Sequence, residues 1–259
     1  MKKYLFIAAA AIAVLSGCQK EGSPVEEGQP DSGSGLVFTA SIEQGTNTKT
    51  ILETTAGVNY GKIYWESGDQ ISINGTTYKA TPDGGDATKA TFDKVNVTDP
   101  DPTGTFCAYY PASVYNGGTP TLPATQSYAA GEISNNPMYA TSEDTNLSFK
   151  NICGLLAVKV TDADIATLKS IRVSSSNHDV SGAFTVDASN NAVLSSDAGG
   201  TNKVELVSTS SLTLTAEGTV FYIAIPPATY RGLLIELSSD GTYFNKSMET
   251  KPATDIVGP

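Results

Sequence analysis

The strongest indication of the fold class in this 259-residue chain is the stretch Ile71-Ser72-Ile73-Asn74-Gly75-Thr76-Thr77-Tyr78. An Asn-Gly pair between two arms of alternating apolar and polar residues strongly indicates a β-hairpin, because both residues tolerate the positive φ of a tight turn. Residues 233–237, Asp240-Gly241 and residues 242–244 repeat this pattern further along the chain. The two hairpins predict an all-β protein.

Alternating segments also lie on both sides of these hairpins. Short β-branched runs recur at intervals of about 8 to 12 residues between Gly, Asn, Asp and Pro, which is typical of β-sandwiches. The other predicted strands are 36–43, 58–65, 88–97, 104–110, 147–150, 153–161, 170–175, 181–187, 203–208, 211–215 and 219–226. Residues 163–169 predict a short helical turn. We interpret residues 111–146 as a large loop or crossover, because they are rich in Pro and Asn and poorly periodic.

The length of the chain favours two domains. Its 39% hydrophobic and 17% charged residues are those of a folded protein with a substantial core. Roughly 240 residues after the leader exceed the most common domain size. We therefore predict β-sandwich domains at residues 36–150 and 151–259, after a signal peptide at 1–17 and a flexible tether at 18–35.

The first residues resemble a lipoprotein signal. Lys2 and Lys3 precede an apolar run at residues 4–15 that is too short to span a bilayer. Leu15-Ser16-Gly17-Cys18 resembles the bacterial lipobox, which implies cleavage between Gly17 and Cys18 and acylation of Cys18. Several acyl chains suffice for stable anchoring. The sequence therefore predicts a lipid-anchored protein.

The segment after Cys18 predicts a tether and a destination. Residues 19–35 are rich in Gly, Pro, Ser and Glu and nearly lack apolar side chains, as flexible linkers do. Gln19 is not the Asp that retains lipoproteins in the inner membrane, so the resemblance implies the outer membrane. The acidic residues 21–27 also resemble surface-export signals of Bacteroidetes lipoproteins, which implies the cell surface.

The charge of the chain argues against nucleic acid as a partner. The formal net charge is −11, and Arg172 and Arg231 are the only arginines of the sequence. Binding to phosphates requires clustered Lys and Arg side chains, and no basic run follows Lys2-Lys3.

Catalytic and metal-binding patterns are not recognisable in the sequence. His178, the only histidine, lies in a polar turn at 174–179, and no Gly-x-Ser-x-Gly motif could supply a serine nucleophile beside it. Residues 99–104 (DPDPTG) resemble the start of a calcium loop, but Tyr110 occupies the twelfth position, where Glu is required. We predict an exposed structural histidine, an ordinary turn, no enzyme activity, no metal and no cofactor.

The remaining cysteines and the strand aromatics are interpreted as structural. Cys107 and Cys153 lie in predicted strands; they could form a disulfide, but buried free thiols are preferred because Cys is among the most buried residue types. Alternating aromatics at 104–110 and 219–225 could form a sugar-stacking surface, but strand aromatics usually belong to the core.

A set of short phrases, in this order, resembles the fimbrillin family of Bacteroidetes, the subunits of type V pili. The phrases are Phe38-Thr39-Ala40-Ser41-Ile42, Thr48-Lys49-Thr50, Tyr64-Trp65-Glu66-Ser67-Gly68-Asp69-Gln70-Ile71, Ala108-Tyr109-Tyr110-Pro111, Leu122-Pro123-Ala124-Thr125-Gln126, Pro137-Met138-Tyr139-Ala140, Phe149-Lys150-Asn151 and Tyr222-Ile223-Ala224-Ile225-Pro226-Pro227. The resemblance implies two tandem transthyretin-like β-sandwich domains. It also implies assembly with other fimbrial subunits by β-strand exchange, in support of adhesion.

The chain departs from this family pattern in two places. Family members are matured by cleavage after an Arg near the first strand, but there is no Arg between residues 18 and 170. Either Lys49 or Lys62 serves instead, or the chain stays uncleaved and lipid-anchored. Relatives also continue into a last strand after residues 251–259, so either the sequence is truncated or this subunit lacks its own donor strand. Residues 255–258 resemble the turn before such a strand, which favours truncation.

A second functional class fits part of the same features. A glycan-binding surface lipoprotein of a polysaccharide-uptake system would share the anchor, the tether and the β-sandwiches. It would need exposed Trp or Tyr side chains, and we expect Trp65, the lone tryptophan, to pack in the core.

Overall fold

The computed structural model describes residues 35–43, 63–115, 117–130, 136–195, 200–249 and 254–256. Strands dominate this part of the chain, with one 3-10 turn at Ala112–Val114. The strands are β1 (Phe38–Ile42), β2 (Gln70–Ile73), β3 (Thr76–Pro82), β4 (Lys89–Lys94), β5 (Phe106–Tyr110), β6 (Thr121–Leu122), β7 (Thr125–Tyr128), β8 (Met138–Ser142), β9 (Asn146–Asn151), β10 (Gly154–Val160), β11 (Thr167–Ser175), β12 (Gly182–Val186), β13 (Ala192–Leu194), β14 (Lys203–Thr213), β15 (Thr219–Ile225), β16 (Ala228–Tyr230), β17 (Leu233–Ser238), β18 (Phe244–Glu249) and β19 (Thr254–Ile256). The predicted all-β class is confirmed.

Strands from the first part of the chain close into a barrel in the order β1-β4-β3-β2-β5-β8-β9. Closure comes from a parallel pairing of β1 with β9, which places Ala40 opposite Leu147. Aromatic side chains fill the interior, where Phe38 packs edge-to-face against Tyr78 and Phe106 with ring centroids 5.0 and 4.9 Å apart. A closed barrel leaves no unpaired sheet edge.

The hairpin predicted at Asn74-Gly75 joins β2 and β3. Both turn residues have positive φ, 48° for Asn74 and 93° for Gly75, as a type I′ turn requires. The Asn74 side chain also binds the neighbouring strand β5: its Oδ1 accepts from the Cys107 N–H at 2.8 Å and its Nδ2 donates to the Thr105 carbonyl at 3.0 Å. The turn therefore fixes β2 and β5 to one another as well as β2 and β3.

Four strands from the second part of the chain, together with β7 from the first part, form a five-stranded sheet in the order β18-β17-β11-β14-β7. β10 and β15 form a separate two-stranded sheet. Apolar residues of both sheets belong to one buried cluster, in which Val173 and Leu233 come from the larger sheet and Ile223 from the smaller one. This arrangement is a sandwich with unequal layers. The tandem pair of transthyretin-like domains remains a prediction.

The region interpreted as a large loop, 111–146, contains β6, β7, all of β8 and the first residue of β9, so that interpretation was wrong. β7 pairs in parallel with β14, and β6 pairs with β12. Both partners lie far along the chain, and strands of two to four residues are too short to show a clear period of two. The local residue pattern therefore did not predict these strands, whose partners lie far away in the sequence.

Two smaller predictions were also wrong, and a third was met only in part. At residues 161–165 the N–H groups of Asp164 and Ile165 donate to the Thr161 carbonyl at 3.1 and 3.2 Å, which makes a single turn, but β11 begins at Thr167 and the turn does not extend into a helix. Residues 63–65 lie outside any strand. Asp255 and Ile256 belong to β19, which pairs with β16, rather than to a turn.

A third buried cluster links the barrel strands to the later sheets. It contains Val114, Leu122, Ile152, Cys153 and Phe184. No helix of the described residues has the length and apolar character needed to cross a bilayer.

Candidate functional site

The two-stranded sheet of β10 and β15 is the feature of the fold with the clearest functional potential. Its seven-residue strands pair from Gly154 opposite Ile225 to Val160 opposite Thr219. A sheet of two strands has two edges, each with a row of backbone N–H and C=O groups that need partners. The backbone groups of the two edges have different surroundings.

On the β15 edge, the side chain of Gln126 takes the place of a neighbouring strand. Its Nε2 donates to the Ala224 carbonyl at 2.7 Å, and its Oε1 accepts from the Ala224 N–H at 3.0 Å. Both residues are buried. Since Gln126 belongs to β7 of the larger sheet, this contact joins the two layers and caps the edge.

The same contact fixes the direction of the backbone groups on β10. In an antiparallel pair, N–H and C=O groups point alternately toward and away from the partner strand. Ala224 directs its groups to Gln126, away from β10, and it lies opposite Leu155. The groups of Leu155, Ala157 and Lys159 therefore point away from β15, to the outer edge of β10.

This outer edge of β10 has no ladder partner among the described strands. β19 approaches β10 without pairing with it. Ala157 and Lys159 are exposed, whereas Val158 and Val160, which point into the sandwich, are buried. The stretch 157–159 therefore presents an accessible strand edge directly beside a hydrophobic core.

The edge strand β18 of the larger sheet has exposed side chains on its inner face. Met248 of β18 lies opposite Ile235, and Lys246 lies opposite Leu237. Directly opposed residues share a face, so Met248 and Lys246 lie on the face that carries the buried Ile235 and Leu237. Met248 is nevertheless 39% exposed, and Lys246 is exposed as well. No described residue buries this part of the inner face.

We use the name acceptor groove for the outer edge of β10 together with the exposed inner face of β18. The groove offers backbone donors and acceptors from β10 and apolar side chains from the larger sheet, which are the groups that bind an added strand. An added strand would extend the smaller layer to three strands.

The sequence-predicted anchoring and processing residues cannot be placed in this geometry. Gly17, Cys18, Lys49 and Lys62 lie outside the described residues. Their roles remain predictions.

The two cysteines of the described chain are free, as preferred from the sequence. Cys153 is buried, and burial raises the pKa of its thiol. Cys107 is only half-buried, and its Sγ accepts a hydrogen bond from the Tyr139 hydroxyl at 3.4 Å. The two residues belong to different strand regions and form no joint site.

His178 and residues 99–104 have structural surroundings. His178 is exposed, its N–H donates to the Ser175 Oγ at 3.1 Å, and its ring packs edge-to-face on Tyr230. Asp101 pairs with Lys94 and accepts the Leu36 N–H at 3.3 Å. The described residues contain no group of three or more His, Cys, Asp or Glu side chains placed to hold a metal ion.

Trp65 lies in the barrel core, as expected, with only 2% of its surface exposed. Its ring packs edge-to-face against Phe92, Tyr110 and Phe149, with centroids 5.0 to 5.3 Å apart. It cannot serve as an exposed sugar platform in this conformation.

Sequence reasoning missed both sides of the two-stranded sheet. Gln126 was noted only as part of the phrase at 122–126, and β10 was predicted as one strand among many. The one local signal that could have indicated a cap on the sheet edge is the long amide side chain of Gln126 in a run of otherwise small and polar residues.

No protein-family model matches the chain, and no curated protein matches its sequence. A solved structure of a putative cell adhesion protein from Bacteroides ovatus is similar over 86% of this chain and 87% of that one, with a TM-score of 0.50 and 17% identity. Another, from Bacteroides uniformis, has a TM-score of 0.41 and 16% identity, over 83% of this chain and 85% of that one. At such identities, the first likeness supports a shared fold.

Proposed function

We propose that this chain is a structural or accessory subunit of cell-surface fimbriae that assembles by β-strand exchange and supports adhesion. The observation that carries the proposal is the outer edge of β10, which has no ladder partner among the described strands, together with the exposed inner face of β18. A partner's extended segment would gain ladder hydrogen bonds along 155–159 and bury its alternate side chains against Met248 and Ile235.

The asymmetry of the two edges supports this function. An edge that served no purpose would be expected to carry protection, such as a cap, a bulge, a proline or charged side chains. Gln126 caps the β15 edge at Ala224, whereas the exposed part of the β10 edge carries, among the described residues, the single charge of Lys159. This difference supports the β10 edge as the place where a partner strand would add.

The lipobox-like residues 15–18 and the tether at 19–35 supply the expected setting. A lipidated Cys18 would hold the chain at the outer membrane, and the predicted tether would let the folded part extend from the surface. The location at the cell surface is part of the proposal.

Blocking the β10 edge tests the assembly step. Ala157→Pro removes an N–H that points away from β15, so the existing ladder keeps its bonds while strand addition loses a donor. The matched control is Ala157→Val, which retains the N–H. We expect heat-labile polymer ladders on unboiled gels for the wild type and the control, and mainly monomer for Ala157→Pro. Polymers at wild-type level from a folded Ala157→Pro variant would contradict this role of β10.

The anchor is tested separately in the host membrane. Intact mass and N-terminal identification should show a triacylated Cys18 or, if the chain is processed, a new terminus after Lys49 or Lys62. Cys18→Ala should release the protein from the membrane fraction. An unmodified amino terminus at Cys18 would contradict the anchor but not the acceptor groove.

A further inference from the structure

A cleft with a volume of about 610 Å³ lies where three connecting segments of the later sheets meet. They are the turn after β11, the hairpin of β12 and β13, and the segment between β15 and β16. This volume falls within the range of small-molecule sites, about 300 to 1,000 Å³. Loops at the ends of sandwich strands are also where binding residues concentrate.

The turn after β11 is held in one conformation. The Ser175 Oγ accepts from the N–H groups of Asn177 and His178 at 3.3 and 3.1 Å. The Asn177 side chain then binds the next segment, donating to the Thr229 carbonyl at 3.1 Å and accepting from the Arg231 N–H at 3.0 Å. This wall of the cleft is therefore formed before any ligand arrives.

The other two walls are fixed in the same way. In the hairpin, the Asp187 carboxylate accepts from the N–H groups of Ser189 and Asn191 at 2.8 and 2.9 Å. On the third side, the buried Tyr230 hydroxyl donates to the Pro226 carbonyl at 2.8 Å. A ligand would pay little ordering entropy on entering such a preformed cleft.

Several polar groups that line the cleft are left available. The Asp179 carboxylate, the His178 ring nitrogens and the Ser176 hydroxyl have no hydrogen-bond partner among the described residues. The Asn202 Nδ2 donates to the Ser175 carbonyl at 2.9 Å, which leaves its Oδ1 free to accept. Acceptors thus predominate, with an imidazole and a hydroxyl that can serve in either direction.

The described lining also has an apolar part. Val193, which is 47% exposed, and the partly exposed Pro227 contribute apolar surface. No Lys or Arg belongs to the described lining, whereas Asp179 and Asp187 do. An anionic ligand is therefore disfavoured by charge, and a metal ion lacks a set of three ligands.

We propose that this cleft binds a neutral saccharide. Sugar hydroxyls would donate to Asp179 and to the Asn202 Oδ1, and the C–H face of a ring would rest on Pro227 and Val193. Recognition of this kind depends on hydrogen bonds and needs no tryptophan platform. The site is independent of the acceptor groove, so either can fail without the other.

The test uses the mature chain labelled with ¹⁵N and titrated with maltose, cellobiose, lactose and mannobiose, with glucuronic acid and calcium chloride as comparisons. Saturable shifts of amide signals at 175–179, 187–194 and 226–228 are expected for at least one neutral sugar. Asp179→Ala and His178→Ala should each weaken that binding at least tenfold. Asp162→Ala, which removes an exposed carboxylate outside the cleft lining, is the matched control and should leave it unchanged.

Gly200→Ala tests the same carboxylate by a second route, in case the Asp179→Ala variant does not fold. A Cβ added at Gly200 would clash with the Asp179 Oδ2, so Gly200→Ala should displace that carboxylate and weaken sugar binding while Asp179 itself is retained. Any of three results would overturn the proposal. The first is saturation by glucuronic acid or calcium alone, and the second is the absence of saturable shifts with all four sugars. The third is wild-type binding in folded Asp179→Ala and Gly200→Ala variants.

Discussion

Gln126 makes with Ala224 the pair of backbone-directed hydrogen bonds that a neighbouring strand would otherwise make. The two residues are 98 positions apart in the chain, and the donor–acceptor distances are 2.7 and 3.0 Å. Through this contact one side chain closes a sheet edge and connects the two layers of the sandwich. Within the described part of the chain, the opposite edge, on β10, has no such cap.

Replacement of Gln126 by Ala should therefore destabilise the fold. It would leave the buried N–H and C=O of Ala224 without partners, at about 1–3 kcal/mol for each orphaned group. We expect a loss of about 2–4 kcal/mol in the free energy of unfolding, measured by urea denaturation. Thr125→Ala, an exposed position on the same strand, is the control and should change stability by less than about 0.5 kcal/mol. Equal effects of the two substitutions would show that the cap contributes little.

The pairing of β7 with β14 leads to a prediction about the domain boundary at 150/151. A fragment of residues 151–259 lacks β6 and β7, so the N–H and C=O groups on one edge of β14 and the inner face near Ala224 would be exposed. We expect this fragment to aggregate or to show weak cooperativity in thermal unfolding. A synthetic peptide of residues 119–130 added in trans should restore a cooperative transition, and the same peptide with Gln126→Ala should not. A fragment that folds fully without the peptide would contradict the interlocking.

Trp65 should be a major contributor to the barrel core. Loss of a fully buried aromatic side chain costs about 3–5 kcal/mol, and Trp65 contacts three other aromatic rings. Trp65→Ala should lower stability by that amount in urea denaturation followed by circular dichroism. Trp65→Phe should lose less, because the Nε1–H has no partner among the described residues and its removal relieves a buried donor. Tyr64→Ala, at an exposed neighbouring position, should have little effect.

Buried tyrosines predict a loss of stability at alkaline pH. Burial raises the pKa of Tyr78 from 10.0 to about 12, with a further contribution from the nearby Asp101 charge. Because the folded state holds this proton more tightly than the unfolded state, the stabilisation is complete below pH about 10 and is lost as pH rises toward about 12. Urea midpoints measured across this interval should fall. Tyr78→Phe should reduce that fall and cost little at neutral pH, because the buried hydroxyl has no partner among the described residues.

Turn aspartates predict a second loss of stability in acid. The pKa values of Asp187 and Asp240 are lowered, chiefly because each carboxylate accepts backbone N–H bonds within its turn. A lowered folded-state pKa gives stabilisation that is present above the unfolded value, about 3.9, and is lost as pH falls through the folded value. Thermal midpoints should therefore drop below pH about 4. Asp187→Asn should make this drop shallower; an unchanged acid profile would contradict a contribution from this turn.

Residue patterns alone predicted the all-β class, several of the strands and the tight turn at Asn74-Gly75. Alternation of apolar and polar residues is a local property, so β4, β10, β12 and β15 could be predicted to within a few residues. The φ values required at Asn74 and Gly75 follow from the two residue types alone. The predicted free thiols and the buried Trp65 followed from residue type as well.

The pairing of the strands, and the sites that the connecting segments build, became visible only in the tertiary structure. Parallel closure of the barrel by β1 and β9, the transfer of β7 to the later sheet, and the contact of Gln126 with Ala224 join residues about one hundred positions apart. Such pairings are selected by the summed burial and hydrogen bonding of whole layers, which no local window contains. The acceptor groove and the polar cleft arise from those pairings, so neither could be found from residue patterns alone.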